Sequence, residues 1–268
     1  MIERISGMRY AIFFIVCFGA SIMGALCGIG GGVIIKPALD ALGMMDVSAI
    51  SFLSGCTVLS MTTYSVIKSK VGDENAVEEK TGIPLGVGAA VGGLIGKWLY
   101  SWGKAMSVNP NRVGMTQAIC MMLVTIGALV YTLQKHKIKT FQICNALLCI
   151  LIGVFLGILS SFLGIGGGPI NLVVLFFFFS MRTKTAAANS LYVIFFSQLA
   201  SLIASIVTKS IPEFPTAVLV WMAAGGIAGG VLGRAMNKRL EEKLVNRLFV
   251  GLMVVMILLN VYNIYKFM

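Results

Sequence analysis

A chain of 268 residues that is 58% hydrophobic and only 12% charged is not a soluble globular domain, because such domains carry about 25% charged residues. Strand-period alternation is absent, which excludes an outer-membrane barrel, and the apolar runs reach the ~20 residues that cross a bilayer as helix. The formal net charge of +11 lies mostly in short loops between those runs, where membrane topology favours Lys and Arg, so it does not argue for nucleic acid.

In chain order, Arg4 and Arg9 precede a first helix over residues 10–27. That start imitates a signal peptide. No small-x-small cleavage site follows, however, and Leu26 before Cys27 spoils a lipoprotein site, so the reading is a retained helix. The run Gly28-Ile29-Gly30-Gly31-Gly32 then breaks it. Three adjacent glycines cost a continuous helix roughly 1 kcal/mol each against Ala. A break at membrane depth also survives only where protein or a water-filled cavity surrounds it. A short apolar arm over 33–42 follows, then a helix over 47–67. The loop over 68–80 is the most charged, with Asp73, Glu74, Glu78 and Glu79 among its residues. Helices over 81–102 and 113–133 complete the first half, and a linker over 134–140 joins it to the second.

The second half repeats the plan. A helix over 141–163 runs into Gly164-Ile165-Gly166-Gly167-Gly168, word for word the first pentapeptide. An arm over 169–181 and helices over 185–207, 216–235 and 244–265 follow. The two glycine runs lie 136 positions apart. A second motif, Gly92-Gly93-Leu94-Ile95-Gly96-Lys97, recurs as Gly229-Gly230-Val231-Leu232-Gly233-Arg234 at 137. Nearly equal offsets argue for duplication of a half of about 130 residues. The second motif reads as packing, since small residues three or four apart let membrane helices approach closely. The expectation is an all-α polytopic membrane protein. It has about eight long transmembrane helices, two short arms after the glycine breaks, and two inverted repeats, 1–134 and 141–268, within one membrane domain.

Basic residues set the topology. If each glycine break is the tip of a hairpin, one side of the membrane holds seven, namely Arg4, Arg9, Lys97, Lys104, Arg112, Lys209 and Lys266. Thirteen fall on the other, including Lys68, Lys80, Lys135, Lys137, Lys139, Lys184, Arg234 and Lys238. Both termini are then extracytoplasmic and the halves are inverted, as in many transporters. Eight full crossings with the breaks in loops give no such bias.

Helix N-termini bind anions through free N–H groups and a partial positive charge. Glycine lets the backbone approach a ligand unhindered. Gly30, Gly31, Gly32, Gly166, Gly167 and Gly168 are therefore candidate substrate-binding residues. Lys36, a lysine at membrane depth, is another; pairing with Asp40 four residues on is its structural alternative. Asn171 is the nearest polar residue of the second arm. On the helices that follow the arms, Ser51, Asn189, Ser190 and Gln198 complete the candidate set, with Ser54, Thr57, Ser60 and Ser197 as further polar residues. Their alternative role is to bind helices together.

Other chemistry finds little footing. Val33 stands where a third dinucleotide-loop glycine belongs, and no phosphate-loop lysine follows the glycines. The six cysteines, Cys17, Cys27, Cys56, Cys120, Cys144 and Cys149, have no metal-ligand spacing, and His136 is a single histidine. No enzyme, metal or cofactor is expected.

The stretch Gly28-Ile-Gly-Gly-Gly-Val-Ile-Ile-Lys-Pro37-Ala-Leu39 resembles the Gly-x-Gly-Gly-Gly-x4-Pro-x-Leu signature of the TauE/SafE family, the sulfite-exporter-like membrane proteins. The second copy departs from it: Pro169 follows the glycines directly and Val173 stands where Pro37 would map. The resemblance implies transport of small sulfur-containing anions (sulfite, sulfonates or thiosulfate) across the cytoplasmic membrane. An inside-negative potential drives each negative charge outward by about 2.3 kcal/mol per 100 mV, which points to export. The alternative is a non-transport membrane subunit that uses its glycines for helix packing.

Overall fold

The computed structural model describes residues 2–71, 79–106 and 110–267. Asp73, Glu74 and Glu78 of the charged loop lie outside the described residues, as do the side chains of Arg4 and His136. Among the described residues there are ten α-helices, one 3-10 turn (Lys135–Lys137) and no strand. The helices are α1 (Ile2–Cys27), α2 (Gly32–Leu42), α3 (Val47–Val71), α4 (Glu79–Met106) and α5 (Pro110–Gln134), then α6 (Ala146–Leu163), α7 (Pro169–Phe179), α8 (Thr183–Val207), α9 (Thr216–Arg239) and α10 (Glu242–Phe267). All but α2 and α7 are long and apolar enough to cross a membrane. The protein is an integral multi-pass membrane protein.

The largest departure from the sequence reading is the start of α6. Residues 141–145 are not helical. The Phe141 and Ile143 N–H groups donate to the carbonyls of Phe177 and Phe178, at 2.8 and 3.0 Å. Asn145 then caps the helix, its side chain accepting from the Leu147 N–H at 2.9 Å. An Asn cap satisfies one of the free donors of the first turn, which moves the helix start to Ala146.

Both arms are hairpins. Residues of the second half of α2 cluster with residues in the middle of α1: Leu39 and Ile35 pack with Phe13 and Cys17. The end of α7 likewise returns to the chain entering α6, through the Phe177 and Phe178 carbonyls just described. Each arm has 11 residues, or about 16 Å of helix, half of a hydrocarbon core of about 30 Å.

The hairpins enter from opposite ends of the molecule, and α10 shows it. Near its C-terminal end, Asn263 donates to the Pro37 carbonyl at 2.9 Å, and Lys266 donates to the Asp40 carbonyl at 2.9 Å. Near its other end, Asn246 accepts from Lys135 at 2.8 Å. The same Lys135 ammonium lies over the Phe176 ring of α7, 5.2 Å from its centre. Thus α2 ends at one end of α10 and α7 at the other.

Glycine stripes let the long helices touch backbone to backbone. Gly88, Gly92 and Gly96 of α4 lie against the carbonyls of Ile150, Val154 and Ile158 of α6; Gly225, Gly229 and Gly233 of α9 lie against those of Phe14, Phe18 and Ile22 of α1. A Cβ at any of these six would strike carbonyl oxygen, so the packing reading of the repeated motif holds.

Candidate functional site

The two glycine breaks meet. A Cβ on Gly30 would lie 2.9 Å from the carbonyl oxygen of Gly166, and one on Gly32 would strike the carbonyl of Ile165. Gly30 and Gly166 adopt φ of +73° and +65°, a left-handed conformation that side chains disfavour. Helices α3 and α8 clamp the junction. Val58 of α3 lies against Gly166 and Ile194 of α8 against Gly167, while Ser51 sits on Gly164 and Ala187 on Gly28.

Polar groups stand close to this junction without partners. Asn171, fully buried one turn into α7, has neither amide atom hydrogen-bonded. Its Nδ2 lies 3.0 Å from where a Cβ on Gly167 would be. Ser54 and Ser190 are fully buried and their hydroxyls have no partner. Helical spacing puts Ser54 on the face of Ser51 and Val58, and Ser190 on the face of Ala187 and Ile194. Gly31 turns the other way, towards the Ser21 hydroxyl. Three further polar residues bond within their own helices: Asn189 Nδ2 donates to the Thr185 carbonyl at 2.9 Å, and Thr57 and Ser60 donate to carbonyls four residues back.

Lys36 is held elsewhere. It is 3% exposed, and its Nζ donates to Asp40 Oδ2 at 2.6 Å. The pair occupies the α2 turn whose end α10 covers.

A polar chamber opens beside the second break. Ser48, Ser51, Gly55 and Cys56 of α3, Lys97 and Tyr100 of α4, Gln117 of α5, Ser161 and Gly164 of the α6 end, and Gln198, Ser201 and Ser205 of α8 line it. About 40 Å³ is open to the centres of water molecules, where one water needs about 10–15 Å³. Of the sequence candidates the chamber gathers Ser51 and Gln198. Gln198 Nε2 donates to Ser160 Oγ at 3.1 Å, tying α8 to α6.

Lys97 supplies the charge. Gly93 packs on Ser197 of α8, and Lys97 lies one turn on along the same stripe, so it faces the chamber beside Ser201. Its ammonium sits 5.5 Å from the centre of the Tyr100 ring. Among the described residues no carboxylate pairs with it. Sequence reasoning missed Lys97, Tyr100, Gln117 and Ser161. The signal for Lys97 was present, a cation closing both copies of the glycine motif, but it was absorbed into packing.

In the other half the equivalent cation is Arg234. Gly230 packs on Met61 of α3, and one turn on Arg234 Nη1 donates to the Ser65 carbonyl at 2.9 Å. Nearby, Asn237 Nδ2 donates to the Leu26 carbonyl. Here the charge serves the backbone; at Lys97 it faces open space. Among the described residues no cluster of three or more His, Cys, Asp or Glu side chains forms a metal site.

Comparison with known proteins agrees with this architecture. Over 218 residues the chain is 26% identical to "Probable membrane transporter protein YunE" of Bacillus subtilis (strain 168), covering 72% of this chain and 76% of that protein. No solved structure matches. The family model described as sulfite exporter TauE/SafE matches residues 13–259, and the chain therefore belongs to that family of membrane proteins.

Proposed function

We propose that this membrane transporter carries a small sulfur-containing oxyanion, of the sulfite, sulfonate or thiosulfate class, outward across the cytoplasmic membrane. One observation carries the reading: two glycine-tipped hairpins enter from opposite ends and meet in the buried interior, beside a chamber whose lysine no carboxylate among the described residues neutralises. Bare backbone, buried hydroxyls and one cation suit an anion that sheds its water on entry. Membership of the family supports membrane transport, and the family's description supports sulfite as the first substrate to try.

The two halves, 1–134 and 141–268, are read as inverted repeats of one duplicated unit. Ser51 and Ala187 stand 136 apart, and each seats the glycine break of the opposite half. Both termini are extracytoplasmic in this reading. Export fits an inside-negative potential. The test is flux: proteoliposomes holding the purified protein should release sulfite when the interior is made negative, and protein-free vesicles should not. Equal release from both overturns the reading.

A further inference from the structure

We infer that the Lys97 chamber selects an oxyanion that carries its own hydrogen-bond donor, a singly protonated species such as hydrogen sulfite rather than a fully deprotonated or donor-free anion. The inference rests on the anion-transport reading and names the form of the anion that the chamber takes.

The key residue is Gln117. It is 2% exposed, and its Nε2 donates to the Phe162 carbonyl at 2.8 Å. A carbonyl only accepts, so that bond fixes which end of the amide is nitrogen. The opposite end, Oε1, is an acceptor, and it is buried with no partner. A buried acceptor left unmade is costly. Ser161, also lining the chamber, has a buried hydroxyl without a partner. A hydroxyl donates or accepts, and Lys97 only donates. The residues that line the chamber thus supply a positive charge, a hydroxyl that adapts, and one oriented oxygen that needs a donor, the last two closed to water until the lining yields to a ligand. A fully deprotonated oxyanion sets lone pairs against Gln117 Oε1 and is repelled. An anion bearing one O–H places its charged oxygens towards Lys97 and donates its proton to Gln117.

The half built on Arg234 lacks this chemistry. Position 253, the repeat mate of Gln117 at an offset of 136, is a methionine, and the arginine is bonded to the Ser65 carbonyl. Recognition of the protonated form therefore belongs to one half.

The experiment is ligand-induced thermal stabilisation of the purified full-length protein, run beside sulfite flux in proteoliposomes. The probes are sulfite, at a pH where hydrogen sulfite prevails, and methanesulfonate, which has the same charge and similar shape but no donor. The wild type should bind hydrogen sulfite about tenfold or more tighter than methanesulfonate, the loss of one hydrogen bond at a buried acceptor. Gln117→Leu should bring the two within about twofold, and Lys97→Met should lose binding of both. Equal binding of the two probes by the wild type overturns the inference without any variant, so it stands or falls even if Gln117→Leu fails to fold. Undiminished sulfite binding by Lys97→Met overturns it too, and leaves the transport reading intact if flux persists. A wild type that neither binds nor moves sulfite overturns the transport reading, and this inference with it.

Discussion

Gly30 and Gly166 face each other across the centre of the molecule, so close that a Cβ on the first would lie 2.9 Å from the carbonyl oxygen of the second. They belong to breaks 136 residues apart in the chain. Both adopt positive φ. Gly30→Ala should therefore combine backbone strain with a backbone clash, destabilising the protein by on the order of 1–3 kcal/mol. Its melting temperature should fall, and sulfite flux per folded molecule should fall with it. An alanine variant with unchanged melting and flux would show that the junction is looser than this contact requires.

The second prediction concerns Lys36. The bond to Asp40 at 2.6 Å, with both groups almost fully buried, makes the pair structural. Lys36→Met strands a carboxylate away from water, which costs about 3–5 kcal/mol. Combining it with Asp40→Asn should restore most of the lost stability, as read by melting of the two single variants and the double. Sulfite affinity of the double variant should stay within a few-fold of the wild type. A large loss of affinity without loss of stability would return Lys36 to the site.

Much of this architecture was readable from the chain, for physical reasons. A glycine run inside an apolar stretch is a break that hydrocarbon does not tolerate, so Gly28 to Gly32 and Gly164 to Gly168 announced a protein-lined centre. Counting basic residues on each side favoured hairpins; in the structure Lys135 joins one end of α10 to α7, and Lys266 at the other end of α10 reaches α2. The chamber was harder. Gln117 and Ser161 are isolated polar residues in apolar helices, and nothing local distinguishes them from residues that bind helices together. Lys97 and Gln117 come together only through long-range packing of α4 and α5 on α6. Periodicity along one helix does not report which neighbour it meets. The start of α6 was hidden likewise, because Phe141, Ile143 and Cys144 lead into the apolar run and are held out of the helix by the end of α7.

Topology is the third prediction. In a background free of the six cysteines, Lys209→Cys and Lys137→Cys place single thiols at exposed positions at opposite ends of the molecule. An impermeant maleimide should label position 209 in intact cells and position 137 only after permeabilisation. The reverse pattern would turn the molecule over and put the Lys97 chamber on the cytoplasmic side.

The central claim is that the meeting of the two hairpin tips is the path of the anion. Gly167 tests it most directly, because a Cβ there would lie 2.5 Å from Ile194 Cγ1 and 3.0 Å from the Asn171 amide. The measurement is sulfite efflux from proteoliposomes with an inside-negative potential, for the wild type and Gly167→Leu reconstituted at equal protein. The account predicts potential-driven efflux from the wild type. It predicts a loss of at least about tenfold in Gly167→Leu, an effect on transport greater than any on membrane insertion, because a side chain there fills the approach that bare backbone leaves open. Efflux from a well-inserted Gly167→Leu protein at the wild-type rate would contradict the account and reduce the glycine breaks to packing devices.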